Sequence, residues 1–236
     1  MSNFWQKPKS LKRRFLAKYS FLNWVIGNLL VPLGICLATK AGFGLSMIGA
    51  GPYILHVFLR DSLPWFTQGT AEYFYEFFVM ILVCLIVRQC KLKYLMVFIE
   101  ALIVGFIIDG WFFLLGGNAV YAGLGARIGC FALSLVITGL GVAFYFRTEL
   151  PRQAYDFAVV KITNTYHWDQ KKVKLATDWT LFAIALALSL ICTKKLTGIG
   201  VGTVITTVLN AYVIDFWGKR IDRFEKPGVK PEGSAE

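Results

Sequence analysis

The sequence predicts an all-α membrane protein with six transmembrane helices, arranged as two inverted three-helix repeats that each carry a short broken or re-entrant helix. Three observations predict it. Of the 236 residues, 56% are hydrophobic and 17% charged, against about 25% charged in soluble domains. The apolar residues gather into runs of the ~20-residue length that crosses a bilayer. Finally, two stretches about 106 residues apart repeat the same order of landmarks.

Residues 1–20 form a basic segment carrying Lys7, Lys9, Lys12, Arg13, Arg14 and Lys18. A secretory signal begins in the same way, but the run that follows, Phe21–Thr39, is 19 residues long and lacks a small-x-small cleavage site. The segment therefore reads as a topology anchor resting on anionic headgroups. The other spans are Ala71–Val87, Tyr94–Leu115, Ile128–Phe146, Leu175–Cys192 and Ile199–Trp217. Two stretches fit no span. Gly44–Leu59 is 16 residues long and broken by Gly49, Gly51 and Pro52, while Leu150–His167 contains Arg152, Asp156 and Lys161. Each is expected to be a re-entrant or interfacial half-helix. The organisation is then a first repeat over 21–115, an external connector over 116–127, a second repeat over 128–218 and a tail over 219–236.

Basic residues orient the chain. With the amino terminus inside, 20 of the 25 Lys and Arg residues fall on inner segments, and Lys40, Arg60, Arg127, Lys194 and Lys195 fall outside. That asymmetry is the positive-inside pattern and puts both termini in the cytoplasm. It also accounts for the net charge of +11 without nucleic acid. The partner the composition calls for is the lipid bilayer.

The repeat rests on its polar landmarks. Leu33-Gly34-Ile35-Cys36 aligns with Leu140-Gly141-Val142-Ala143, which carries Lys40 onto Arg147 and Ser46 onto Gln153. Ile108-Asp109-Gly110-Trp111 aligns with Ile214-Asp215-Phe216-Trp217. Three spans is an odd number, so the second copy enters the membrane from the opposite side. Inverted repeats are typical of transporters, whose sites lie between the repeats at interrupted helices. Duplication alone records ancestry and does not establish transport.

Candidate site residues follow from this frame. In the first broken segment the glycines, among them Gly44, allow sharp turns, and Ser46 is placed to cap a short helix beginning near Leu45. A helix start within the membrane, with Lys40 beside it, would attract an anionic or zwitterionic group. Arg147, Arg152 and Gln153 are the counterparts in the second copy. The alternative is that Lys40 and Arg147 snorkel to headgroups and the glycines serve helix packing. Acids at membrane depth are functional candidates by default. Glu100 and Asp109 fall deepest and are assigned to ion coupling, whereas Glu76, Asp178 and Asp215 lie nearer span ends, where pairing with an interfacial Lys, Arg or backbone group is expected. Thr203, Thr206, Thr207 and Asn210 form a polar stripe on the last span. Asn210 is a candidate for the solute path, and the threonines suit bonds between helices. Trp65, Tyr73, Phe74, Tyr75, Phe77 and Phe78 suit an outer interfacial belt.

The segments Lys40-Ala41-Gly42-Phe43-Gly44-Leu45-Ser46 and Gly198-Ile199-Gly200-Val201-Gly202-Thr203 carry a family resemblance. The chain resembles the YczE/YitT-like bacterial integral membrane proteins, in which a KAGLGxSPWD-like segment ends the first span and GIGTxI opens the last. The likeness runs from Asn23 to Trp217. Met47-Ile48 replaces the Pro-Trp pair, and Val201 interrupts the glycine motif. The resemblance implies a multi-span protein of the bacterial inner membrane that could act as a transporter, and it supplies no substrate.

Enzyme chemistry finds no footing. The sequence has no GxxxxGK[ST] loop, HExxH helix or GxSxG elbow, and two histidines, His56 and His167. The five cysteines lack CxxC spacing and read as small buried hydrophobes, so no metal or cofactor is expected. Three functions stay open: a secondary transporter or facilitator for a small anionic or zwitterionic solute; the membrane subunit of an importer with ATPase partner subunits; or a non-transporting scaffold. A homo-oligomer is compatible with each.

Overall fold

The computed structural model describes residues 10–88, 94–148, 150 and 153–225, with backbone alone for 10–18, 95, 170–171 and 223–225. Pro151 and Arg152 of the second broken segment, and Lys7, Lys9, Lys91, Lys93, Lys226 and Lys230 among the inner cations, lie outside the described residues.

Eight helices account for nearly all of it: α1 Ser10–Ala41, α2 Ala50–Leu59, α3 Gln68–Val87, α4 Leu95–Leu114, α5 Leu124–Tyr145, α6 Ala154–Tyr166, α7 Gln170–Leu188 and α8 Val201–Glu225. Beyond Leu188, α7 widens into a π turn over Ser189–Thr193. Six helices are long and apolar enough to cross a membrane, with crossing stretches at Tyr19–Ala41, Gln68–Val87, Met96–Leu114, Leu124–Tyr145, Lys172–Thr193 and Val201–Asp222. The chain is a multi-span membrane protein. Some boundaries move outward from the sequence reading. Helix α1 begins within the basic segment, α5 begins inside the 116–127 connector, and α8 runs past residue 218. Nothing in those flanks breaks a helix, and apolar runs mark where lipid ends rather than where the backbone ladder ends.

The two ambiguous stretches fold as short helices. At a rise of ~1.5 Å per residue, the 10 residues of α2 and the 13 of α6 are too short to cross. Both are instead packed inside the bundle. Helix α2 packs on α3 and α7, and α6 on the same two helices, while among the described residues the backbones of α3 and α7 stay apart. The four therefore form a closed ring. Outside it, α1 packs on α5 and α4, α5 on α8, and α3 on α4.

Small residues set these approaches. A Cβ at Gly34 would collide with Thr138, and one at Gly27 with the Tyr145 ring, so α1 and α5 cross nearly backbone to backbone. Gly69 and Gly105 do the same for α3 and α4. Pro32 interrupts the ladder of α1, and Trp111 Nε1 of α4 donates to the Leu29 carbonyl beside the break (3.0 Å).

Candidate functional site

The two glycine motifs meet in space. Leu45 N donates to Gly198 O (2.9 Å) and Gly202 N to Phe43 O (2.8 Å), which joins the first broken segment to the start of α8. Gly44 stands at φ +108°, and a Cβ there would fall 2.6 Å from Thr203 Oγ1. Glycine is required on both counts. Helix α2 begins at Ala50 rather than near Leu45. Ser46 Oγ accepts from Gly49 N (3.2 Å) and Ser46 O from Ala50 N (3.0 Å), so the serine forms a turn ahead of the helix.

Lys40 and Arg147 are both buried and both occupied. Lys40 Nζ donates to Gly117 O (2.8 Å), just past α4, and lies 4.8 Å from the centre of the Tyr121 ring. Arg147 donates to Ala143 O and to Gly218 O of α8 (both 2.6 Å) and pairs with Asp222 (2.8 Å). Each cation clamps the end of one helix to the end of another. Gln153 stands at the N-terminal boundary of α6, where its carbonyl accepts from Phe157 N (3.0 Å). Asn210, on α8, keeps a buried Oδ1 without a hydrogen-bond partner. Thr206 and Thr207 donate to Thr203 O of their own helix, at 2.9 and 2.7 Å. The expected bonds between helices are replaced by these local ones, because a hydroxyl one turn along always finds the preceding carbonyl.

The acids sort differently from the sequence reading. Asp109 is a cap: Oδ2 accepts from the Thr67 hydroxyl (2.6 Å) and Oδ1 from Gly69 N (2.9 Å), at the start of α3. Asp178 pairs with Lys174 (3.0 Å) and Asp215 with Lys219 (2.7 Å). Glu76, expected near a span end and paired with a cation or a backbone group, has the backbone partner but is fully buried eight residues into α3, about 12 Å along it. Its Oε2 accepts from Ala154 N (3.2 Å), the first residue of α6. One turn earlier, Glu72 is 2% exposed and accepts from the Tyr155 hydroxyl (2.9 Å). Glu100 of α4, 1% exposed, meets the Tyr145 hydroxyl of α5, which also lies 2.9 Å from Asn28 Oδ1 of α1.

These three carboxylates lie within electrostatic reach of one another and of Asp156. Among the described residues none has a Lys or Arg partner, and Glu72 Oε2, Glu76 Oε1 and Glu100 Oε2 have no hydrogen-bond partner. Gln68, a turn before Glu72 on the same face of α3, is 1% exposed and also leaves its Oε1 unpartnered. Gln68 was missed because the second span was started at Ala71, Glu72 because it stood at that span's first turn, and Tyr145 and Tyr155 because their acid partners lie on other helices. The signal was there: Gln68, Glu72 and Glu76 recur at a spacing of four, which stacks them on one helix face. Tyr75 departs from the interfacial belt for the same reason. It turns inward against Gly51 and Tyr155, while Phe74, Phe77 and Phe78 stay exposed.

Beside the acids, a cavity of about 590 Å³ lies between α3, α6 and α7. Val79 and Val83, Ala158 and Ile162, and Val173 and Leu181 line it, with the exposed Trp168 and Lys172 at its edge. Val79 and Val83 continue the α3 face that carries Glu72 and Glu76.

At the opposite end of α2, His56 is buried between Phe66 O and Asn118 Nδ2, both at 2.9 Å. Burial holds its pKa below the usual 6.5. As a neutral ring it donates from Nδ1 and accepts at Nε2.

Comparison with known proteins places these features in a family. Residues 18–219 match the family of unknown function DUF6198. The uncharacterized protein YyaS of Bacillus subtilis (strain 168) is 28% identical over 203 residues, which cover 86% of this chain and 94% of that protein. No solved structure matches the chain. These matches do not confirm the YczE/YitT-like label that the glycine motifs suggested.

Proposed function

The chain belongs to the DUF6198 family, whose function is unknown, and from its geometry we propose that it is a secondary transporter for a small organic solute bearing an acidic or zwitterionic group. The observation that carries this reading is the mirrored pairing of its two halves at the crossing of α1 and α5. A Cβ at Gly34 would meet Thr138, and one at Gly141 would meet Val31. The repeat offset of 107 turns the first pair into the second. In the same way, the bond of Ser20 with Thr148 has its image in that of Arg127 with Ala41. Reciprocal contacts of this kind are what a two-fold axis produces. The pairs Gly27–Tyr145, Val31–Gly141 and Gly34–Thr138 run in opposite directions along the two helices, so α1 and α5 are antiparallel. A two-fold relating antiparallel spans lies in the membrane plane, and the repeat is inverted.

Much of the remaining packing agrees, the α3–α4 and α4–α6 contacts being the exceptions without an image among the described residues. Contacts α1–α4, α2–α3 and α2–α7 have their images in α5–α8, α6–α7 and α6–α3. Lys40 and Arg147 do equivalent work at equivalent places. Two interrupted segments at matching positions of inverted halves are the arrangement in which transporters hold their solutes. With both cations engaged as clamps, the solute's place is the cavity between α3, α6 and α7, where Lys172 meets the acidic end and the valines the apolar body. Both termini face the cytoplasm of a bacterial inner membrane, in keeping with the distribution of Lys and Arg.

The test begins with a thermal-shift panel of organic acids and amino acids on the purified full chain, since a ligand that binds the folded state raises its stability by mass action. Stabilising solutes are then assayed for counterflow in liposomes containing this chain alone. Exchange of a stabilising solute is the expected result. Stabilisation without exchange would overturn transport and leave an importer subunit, and neither effect would leave a scaffold.

A further inference from the structure

We propose that Glu72, Glu76 and Glu100 form a proton-binding site, and that its occupancy sets how firmly the half-helix α6 is seated. The inference deepens the transport reading and rests on it for its purpose, but the binding itself can be measured without transport.

Three independent features point to a proton. The first is the count of partners. Each carboxylate is at most 2% exposed and keeps one oxygen unpartnered, and Gln68 adds a fourth unpartnered oxygen on the same face of α3. An ionised carboxylate so placed, with no counter-charge, is strongly disfavoured. The second is a hydrogen-bond account at Glu100. Asn28 Nδ2 is turned to Trp24 O (3.1 Å), so Asn28 Oδ1 is the acceptor that faces Tyr145 (2.9 Å). Tyr145 has one proton to give and two acceptors before it, so both contacts can be hydrogen bonds only when Glu100 carries a proton of its own to donate to the phenolic oxygen. The third is geometry. Among the described residues no three His, Cys, Asp or Glu side chains converge to hold a metal ion, whereas protons need no convergence.

The same acids hold α6. Glu76 accepts from the first backbone N–H of that helix, and Glu72 from the phenol of its second residue. A carboxylate at a helix start is favoured by the dipole and by the charge-assisted bond, and both contributions fall when it takes up a proton. Proton uptake thus loosens the first turn of α6, and proton loss tightens it. The charged and titratable groups facing the site are Tyr75 on α3, Tyr145 on α5, and Tyr155 and Asp156 on α6. Asp156 is in turn 3.8 Å from Lys174 at the edge of the bundle, which gives the buried acids a partly exposed neighbour through which protons can pass.

Dicyclohexylcarbodiimide tests the binding. It reacts with protonated carboxyls in apolar surroundings: the carboxyl oxygen bonds to the central carbon, the proton moves to nitrogen, and nothing leaves. With the full chain in membrane vesicles, peptides containing Glu72, Glu76 and Glu100 should be labelled at acidic pH, severalfold less as pH rises, and equally with or without sodium. Replacing each acid by Gln should remove its own label. No label on any of the three, or suppression by sodium at fixed pH, would overturn the proton site. Seating is read from a cysteine placed at Gln153 in a chain lacking native cysteines. Its maleimide reactivity, taken relative to a fully exposed cysteine at the same pH because the thiolate is the reacting form, should be higher at acidic pH, and Glu76→Gln should raise this ratio severalfold and remove its pH dependence. Reactivity indifferent to both would overturn the link to α6. Labelled acids in a chain that moves no solute would sink transport and leave the proton site standing.

Discussion

Gly34 and Thr138 meet so closely that no side chain larger than hydrogen fits between α1 and α5. Gly34→Leu should therefore destabilise the protein by the about 1–3 kcal/mol typical of overpacking, whereas Gly110→Ala, which faces open space, should be neutral; thermal unfolding in detergent compares the two. His56 gives a pH signature. Its pKa is lowered by burial, so the unfolded chain takes up a proton near pH 6.5 while the folded one does not. Stability is full above that pH and falls as pH drops from 6.5 toward the folded-state pKa. The midpoint of thermal unfolding should decline across that window, and His56→Gln should remove this part of the decline. Neither residue could be assigned its role from sequence alone. A glycine in an apolar run says that something is close but not what, and His56 owes its environment to Phe66 and Asn118, 10 and 62 residues away.

At the level of elements, apolar run length found all six spans, because crossing hydrocarbon is a constraint on composition and length that each segment meets by itself. The short helices α2 and α6 were visible as interruptions, but their place inside the bundle depends on partners from both halves. The halves also differ. Helices α3 and α4 pack through Gly69 and Gly105, while positions 106 residues later hold Leu175 and Ala211, and among the described residues the backbones of α7 and α8 do not come together. The close approach of α3 and α4 is assigned to the two glycines. It follows that Gly69→Leu should destabilise the fold markedly while Ala211→Leu, on the exposed face of α8, should leave the unfolding temperature within a degree or two of the parent. Equal effects would show that the glycine contact is not what separates the two pairs.

For the molecule as a whole, two halves of one chain close a ring, α2–α3–α6–α7, with buried acids on its α3 member and an apolar cavity between α3, α6 and α7. The acids of the ring were obscured in sequence, since Glu72 and Glu76 stand near the start of a span and look like its flank. Depth came from the fold: helix α3 begins at Gln68, which moves both inward. Together, the proposed transport and the proposed proton site require that proton occupancy at the acids and solute occupancy of the cavity alternate through the seating of α6. Liposomes containing this chain alone, loaded with a pH-sensitive dye and given an inward gradient of a stabilising solute, test it most directly. Solute entry should shift the internal pH, and Glu76→Gln should uncouple the two, keeping solute binding but losing the pH shift. Solute entry with no pH change, or the same pH change in Glu76→Gln as in the parent, would contradict it.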